Sequence, residues 1–156
     1  MKLAIVGSRN ITNLDIEKYI PQGVLEIVSG GAKGVDTLAK NYALKHNVKY
    51  TEFLPDYVKY KKGAPLKRNE EIAKYADEAL IFWNGTSKGT KHMAECFIKQ
   101  NKKAEIILLI SKNNNWFFMN MVILVIDKEF LIWYNTLSKI IPKGNKNYEK
   151  FIWFDR

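Results

Sequence analysis

Soft metal ligands and cross-links are scarce in this chain of 156 residues, which has one cysteine, Cys96, and two histidines, His46 and His92. A lone cysteine excludes an intrachain disulfide. Three scattered ligands do not build a zinc module, so no metal site is expected. Such thin thiol usage predicts a reducing, cytoplasmic setting. Four prolines and nine glycines are too few for a collagen-like or low-complexity chain. The most apolar stretch, Trp116–Ile126, is closed by Asp127, Lys128 and Glu129. It falls short of the ~20 residues that a membrane-spanning helix needs, so no membrane partner is expected. Met1–Lys2 leads straight into an apolar, strand-like run, which predicts no signal peptide.

What remains is globular: 47% of residues are hydrophobic and 26% charged. The length suits one domain of roughly 100–150 residues with a short addition. The formal charge is +9, and it is spread out, with +6 over the first 110 residues and +3 over the rest. A positive field of this kind attracts nucleotides, nucleic acid or acidic surfaces. The abundance of Lys, Asn and Ile also fits a plain AT-rich coding bias.

Short β-rich runs alternate with longer helical patterns. Strands are expected at Lys2–Gly7, Glu26–Gly31, Lys49–Leu54, Glu78–Trp83 and Glu105–Ile110. Helices are expected at Asn13–Ile20, Gly34–Asn47, Leu66–Ala76 and Thr90–Gln100, with a basic loop, Pro55–Pro65, carrying Lys59, Lys61 and Lys62. This order predicts an α/β, Rossmann-like open parallel sheet of about five strands with helices on both faces. Ser111–Asn115 looks like a linker. Beyond it a strand at Met121–Ile126, a helix at Glu129–Ile141 and a strand at Tyr148–Phe154 are expected. Trp116, Trp133 and Trp153 make this C-terminal extension rich in aromatics. The expected division is therefore 1–110 for the nucleotide-binding unit, and 111–156 for an extension that packs on it or forms an oligomer interface.

Ligands of open parallel sheets bind at the carboxyl ends of strands. Three loops stand there: Gly7-Ser8-Arg9-Asn10, Ser29-Gly30-Gly31-Ala32-Lys33-Gly34-Val35-Asp36, and Asn84-Gly85-Thr86-Ser87-Lys88-Gly89-Thr90. Glycine lets backbone N–H groups approach an anion, and a helix beginning just after the loop adds unpaired N–H groups and a positive dipole end. Glycines at such turns also serve plain backbone geometry. The loops match no common phosphate fingerprint. Gly85 and Gly89 enclose three residues where a Walker A loop needs four, and the Ser29–Gly34 run lacks the first glycine of a dinucleotide loop. Glu52 stands near the place of a ribose-binding acid, but the mismatch argues against NAD, and no cofactor is expected. No Gly-x-Ser-x-Gly elbow exists.

Val6-Gly7-Ser8-Arg9, Val28–Asp36, Arg68-Asn69 and Trp83–Thr90 occur in that order. Together they resemble the YspA/YpsA-related branch of the SLOG superfamily, which also holds the Lonely-guy phosphoribohydrolases and the SMF DNA-processing proteins. The resemblance covers about residues 1–110. It implies a Rossmann-like fold, dimers or higher homo-oligomers, and nucleotides or their derivatives as ligands. Some members cleave the N-glycosidic bond of nucleoside monophosphates. Others sense nucleotide signals, including ADP-ribose derivatives in bacterial defence, and relatives are common in phages. Carried onto this chain, Gly85, Gly89 and Thr90 would hold a phosphate, Ser8 and Arg9 would face the same crevice, and Arg68 would lie near the phosphosugar. Gly7, Ser29, Gly30, Gly31, Gly34, Asn69 and Ser87 complete the candidate binding set, with Trp83 as a base-stacking or half-buried residue.

One departure from the Lonely-guy pattern bears on catalysis. Its glutamate stands three residues after the threonine; here that position is Met93, and the nearest acid is Glu95. Methionine cannot exchange a proton. Asp36 and Glu95 are the candidate catalytic acids, although an aspartate in a first helical turn also complements the dipole. His92 and Cys96 are read as surface and core. The leading expectation is a protein that binds a phosphorylated nucleoside derivative without turnover, sequestering or sensing it. The alternatives are a phosphoribohydrolase or deoxyribosyltransferase-type enzyme, and a nucleic-acid binder. The last is disfavoured because the aromatic residues lie mostly in apolar runs and do not interleave with the basic ones.

Overall fold

Apolar runs too short for helices become the strands of one sheet. The computed structural model describes residues 1–112 and 115–125. Strands β1 (Lys2–Gly7), β2 (Glu26–Ser29), β3 (Lys49–Glu52), β4 (Glu78–Trp83) and β5 (Ala104–Lys112) are parallel. β6 (Asn115–Val125) runs antiparallel beside β5. The connections carry α1 (Val35–Lys45), α2 (Tyr57–Tyr60), α3 (Ala64–Tyr75) and α4 (Lys88–Lys99). Strand order is β3-β2-β1-β4-β5-β6. This is the α/β, Rossmann-like arrangement that the alternation predicts. The chain walks outward from β1 to β3, then returns to lay β4 on the other side of β1. The loops leaving β1 and β4 therefore diverge and open a crevice between them.

Successive strand residues serve opposite layers, as the two-residue period requires. Ala4, Val6, Ala79, Ile81, Ala104 and Ile106 form a core with Ile72, Ala73, Met93 and Phe97 of α3 and α4. Leu3, Ile5, Leu80, Phe82, Ile107 and Leu109 face Val35, Ala39 and Ala43 of α1 together with Ile11 and Ile16. Phe82 is fully buried and meets the Tyr19 ring edge-on at 5.4 Å. Removing such a ring costs about 3–5 kcal/mol.

The structure departs from the expected elements at several places; among them the third strand ends at Glu52, short of Leu54, and the strand expected at Met121–Ile126 already begins at Asn115. Asn13–Ile20 is not a helix; only Glu17–Tyr19 makes a 3-10 turn, and the Asp15 carboxylate takes the Glu17 N–H at 3.1 Å. The second strand stops at Ser29, because the glycines after it turn away, Gly31 at φ +67° and Gly34 at φ +79°. The segment Pro55–Pro65 is not simply a loop. Asp56 accepts the Lys59 N–H at 2.9 Å and caps α2, while α3 starts at Ala64, since proline is compatible with a first helical turn. Ser111–Asn115 is not a linker: β5 continues to Lys112, which pairs with Asn115 of β6. The helix expected at Glu129–Ile141 and the strand at Tyr148–Phe154 lie outside the described residues. Among the described residues no helix is long and apolar enough to cross a membrane.

Candidate functional site

A cavity of about 380 Å³ opens at the β1–β4 crossover. Its first wall is the loop after β1. Ser8 is fully buried, and its hydroxyl is a knot between loops. It donates to Asn84 Oδ1 at 3.0 Å, accepts the Asn84 backbone N–H at 3.1 Å, and lies 3.3 Å from Thr90 Oγ1. Ser8 lines the cavity, and its hydroxyl hydrogen is committed to Asn84. Arg9 is exposed at the rim.

Asn84 organises the third loop. Its Oδ1 also accepts the backbone N–H groups of Thr86 at 3.1 Å and Ser87 at 2.9 Å, an Asx turn, and its Nδ2 donates to Asn10 Oδ1 at 3.1 Å. That turn delivers Ser87 to the N-cap of α4, where its hydroxyl accepts from the Thr90 hydroxyl at 2.9 Å and from the Thr90 N–H at 3.4 Å. Asn69 Nδ2 donates to the Gly89 carbonyl at 3.1 Å and ties the first turn of α4 to α3. Gly89 lines the cavity, and a Cβ built there would meet no atom within 4 Å. The opening turn of a twelve-residue helix is thus bare toward the cavity, with its dipole favouring an anion.

The second loop and α3 close the other side. Gly30 and Gly34 are close-approach positions. A Cβ on Gly30 would stand 1.8 Å from Arg68 Nη1, and one on Gly34 would stand 2.7 Å from the Ser8 carbonyl oxygen. Arg68 Nη1 donates to the Gly30 carbonyl, while its Nε is buried with no partner among the described residues. Burial lowers the Arg68 pKa against the opposing charge of Asp36. Asp36 Oδ2 accepts the Ala32 N–H at 3.0 Å. Burial raises the Asp36 carboxyl above its ordinary range, outweighing the Ala32 hydrogen bond, the Arg68 charge and the backbone N–H groups of Gly7 and Gly30.

Of the expected residues, the structure brings Gly7, Ser8, Arg9 and Asp36 to the cavity wall, together with Arg68, Asn69, Ser87, Gly89 and Thr90. Ser29, Gly30, Gly31, Gly34 and Gly85 shape the loops without lining it. Trp83 also stands outside the lining, and its indole N–H donates to the Ser87 carbonyl at 3.1 Å. Glu95 lies elsewhere on α4, 3.9 Å from Lys91. Met93 is buried and lines the cavity, and Asp36 is the acid in the wall. Sequence reasoning did not single out Asn84, Asn10, Pro65 or Leu66. An asparagine just before Gly-Thr-Ser is the usual signal of an Asx turn and would have pointed to Asn84. Among the described residues no group of three or more His, Cys, Asp or Glu side chains could hold a metal ion.

A family model described as DNA recombination-mediator protein A matches residues 1–113. The match spans all three loops and β1 through β5. It agrees with the SLOG and SMF resemblance carried by those loops. Comparison with curated proteins and with solved structures gives no match.

Proposed function

The chain belongs to the DNA recombination-mediator protein A family, and we propose that its strand-end cavity binds a phosphorylated nucleoside derivative without turning it over. Membership fits a nucleotide-related or DNA-processing role. The finer reading is a nucleotide or ADP-ribose-type ligand, sequestered or sensed, in the setting of bacterial defence or phage counter-defence. The phosphate lies at the first turn of α4 beside Gly89, with Arg9 and Arg68 supplying charge. The observation that carries the absence of turnover is Met93, buried in the wall three residues after Thr90, where the Lonely-guy pattern has its acid.

The decisive experiment pairs calorimetry with a base-release assay. Nucleoside monophosphates bind, yet overnight incubation frees no base above background, because general acid–base help worth ~10²–10⁴-fold is missing. Steady base release that Asp36→Asn or Glu95→Gln removes would overturn this reading in favour of an N-glycosidic hydrolase or transferase.

A second reading, nucleic-acid binding, is favoured by the family's link to DNA and by the +9 charge. Affinity for an oligonucleotide that collapses steeply between low and moderate salt, with none for mononucleotides, would establish it instead. For the extension 111–156 we propose packing on the 1–110 unit or a contact between copies of the chain; the pairing of β6 with β5 supports the first.

A further inference from the structure

His92 stands on α4 three residues after Gly89, and its partly buried ring lies against Asn69 of α3. Asn69 itself is 4% exposed. Its amide nitrogen carries two hydrogens. One goes to the Gly89 carbonyl at 3.1 Å, and the other has His92 Nδ1 within reach at 3.4 Å. The Cys96 thiol, one turn further along α4, lies 3.6 Å from the same ring nitrogen. Burial pushes that thiol up, so it keeps its hydrogen. Nδ1 thus faces two donors, the setting for a neutral ring with its proton on Nε2.

We propose that His92 is a positioning residue for the phosphate site: its neutral ring holds the Asn69 amide in the orientation that ties the first turn of α4 to α3, and a proton on the ring undoes that tie. The inference rests on the phosphate-site reading above. A proton on Nδ1 points at the Asn69 amide hydrogens, donor against donor. Turning the amide over offers Oδ1 to the imidazolium, but sets the other end of the amide wrongly for Gly89, acceptor against acceptor. No orientation serves both neighbours of the charged ring. The bond to the charged ring is the stronger of the two, so the amide turns and the Gly89 carbonyl loses its donor. The first turn of α4 then keeps its Ser87 cap but not its tie to α3.

The charges around the ring come from two helices. On α3, Glu70 is near enough to feel the ring's charge; it pairs with Lys67 at 2.7 Å and also feels Lys74. On α4, Lys91 and Glu95 stand 3.9 Å apart, and Lys99 and Glu95 act on Cys96. The strands beneath α4 meet it through Ala79, Ile81 and Ile106. Glu70 therefore offsets the attraction that an imidazolium would itself exert on a phosphate.

The test is calorimetry with AMP on the full chain at pH 8 and at about pH 5.5, for the wild type and for His92→Asn. Asparagine keeps an acceptor near the place of Nδ1 and does not titrate. AMP takes up its own phosphate proton in this range, and Asp36 moves toward its neutral form. Both changes are common to the two proteins, so the ratio of their affinities cancels them. The two bind equally at pH 8. At the lower pH the wild type is weaker than His92→Asn by about fivefold, the scale of one hydrogen bond. Asn69→Leu lacks the tie at every pH, so the wild type exceeds it at pH 8 and matches it at the lower pH. That comparison decides the matter if His92→Asn does not fold. A wild type to His92→Asn ratio that stays constant across pH would overturn the role of His92 and leave the phosphate site standing. A wild type that gains on the variant at low pH would also overturn it, because the imidazolium would then act as a charge on the phosphate. Absence of AMP binding by the wild type at both pH values would take down the phosphate site and this inference together.

Discussion

At the amino end of the sheet, the Glu26 carboxylate accepts from Thr51 Oγ1 at 2.5 Å and from the Tyr75 hydroxyl at 2.9 Å, and pairs with Lys49 at 3.0 Å. Beside it, Lys102 Nζ donates to the carbonyls of Ala73, Lys74 and Ala76 at 2.7, 2.9 and 2.6 Å, closing the end of α3. At the carboxyl end, the buried Asp36 faces the backbone N–H groups of Ala32, Gly7 and Gly30 and the nearby charge of Arg68, whose Nε finds no partner among the described residues. Burial pushes both carboxyls up. At Glu26 the bonds from Thr51, Lys49 and Tyr75 outweigh it and bring the pKa below its ordinary value, while at Asp36 burial prevails. One end satisfies its polar groups and supports the fold. The other gathers Arg9, Arg68 and the bare first turn of α4 around a cavity, the arrangement expected where a ligand completes the set.

The largest expected effect breaks the carboxyl end alone. Gly89→Val places a branched side chain in the open space beside the first turn of α4. It keeps a phosphate off the backbone N–H groups, and charge-assisted bonds are worth ~1.5–3 kcal/mol each. Loss of two of them lowers nucleotide affinity by at least about 100-fold. The melting curve stays close to wild type, since the new Cβ meets no atom within 4 Å. Unchanged affinity in a folded variant would move the phosphate elsewhere.

The next effect breaks the amino end alone. Glu26→Ala strands the Tyr75 and Thr51 hydroxyls, and Lys102→Met leaves three carbonyls of the α3 terminus without their donor. Each change costs roughly 1–3 kcal/mol of stability in urea titration. Neither alters nucleotide affinity, because the cavity wall contains neither residue. A parallel loss of affinity would show that the two ends are coupled through the strands.

The same contrast explains what could be read without coordinates. Strands β1 and β4 match their expected bounds because each is a continuous apolar run closed by glycine or asparagine. The loops at their carboxyl ends were legible for the same reason, since glycines and small polar residues sit there at fixed offsets. What escaped depends on distant partners. Asn84 matters through Ser8 and Asn10, more than 70 positions away. The amino-end network joins Glu26 to Tyr75, which no local pattern connects. The segment Pro55–Pro65 reads as a loop because its prolines obscure the Asp56 cap and a proline compatible with the first turn of α3. Within it Tyr57, Lys59, Tyr60, Lys61 and Lys62 interleave aromatic and basic side chains, contrary to the expectation that the two do not interleave.

The smallest effect concerns the acid of the cavity and sharpens the comparison through pH. Burial raises the folded-state pKa of Asp36 above its ordinary value of 3.8. The native protein then binds this proton more tightly than the unfolded chain does. As pH rises through that window, the unfolded chain releases its proton first, and Asp36 withdraws stability from the native state. Glu26 does the reverse: its pKa lies below the ordinary 4.5, so its contribution is full above that value and is lost as pH falls through the depressed one. Asp36→Asn keeps an oxygen for the Ala32 N–H and removes the buried charge. The variant is therefore more stable than wild type at pH 7, and the gap closes below pH 3.8, where the native aspartic acid is neutral as well. Urea titrations at pH 7 and at pH 3.5 read this directly. A variant less stable than wild type at pH 7 would mean that the Ala32 N–H and the Arg68 charge hold the carboxylate more strongly than burial opposes it, and the carboxyl end would then be as well satisfied as the amino end.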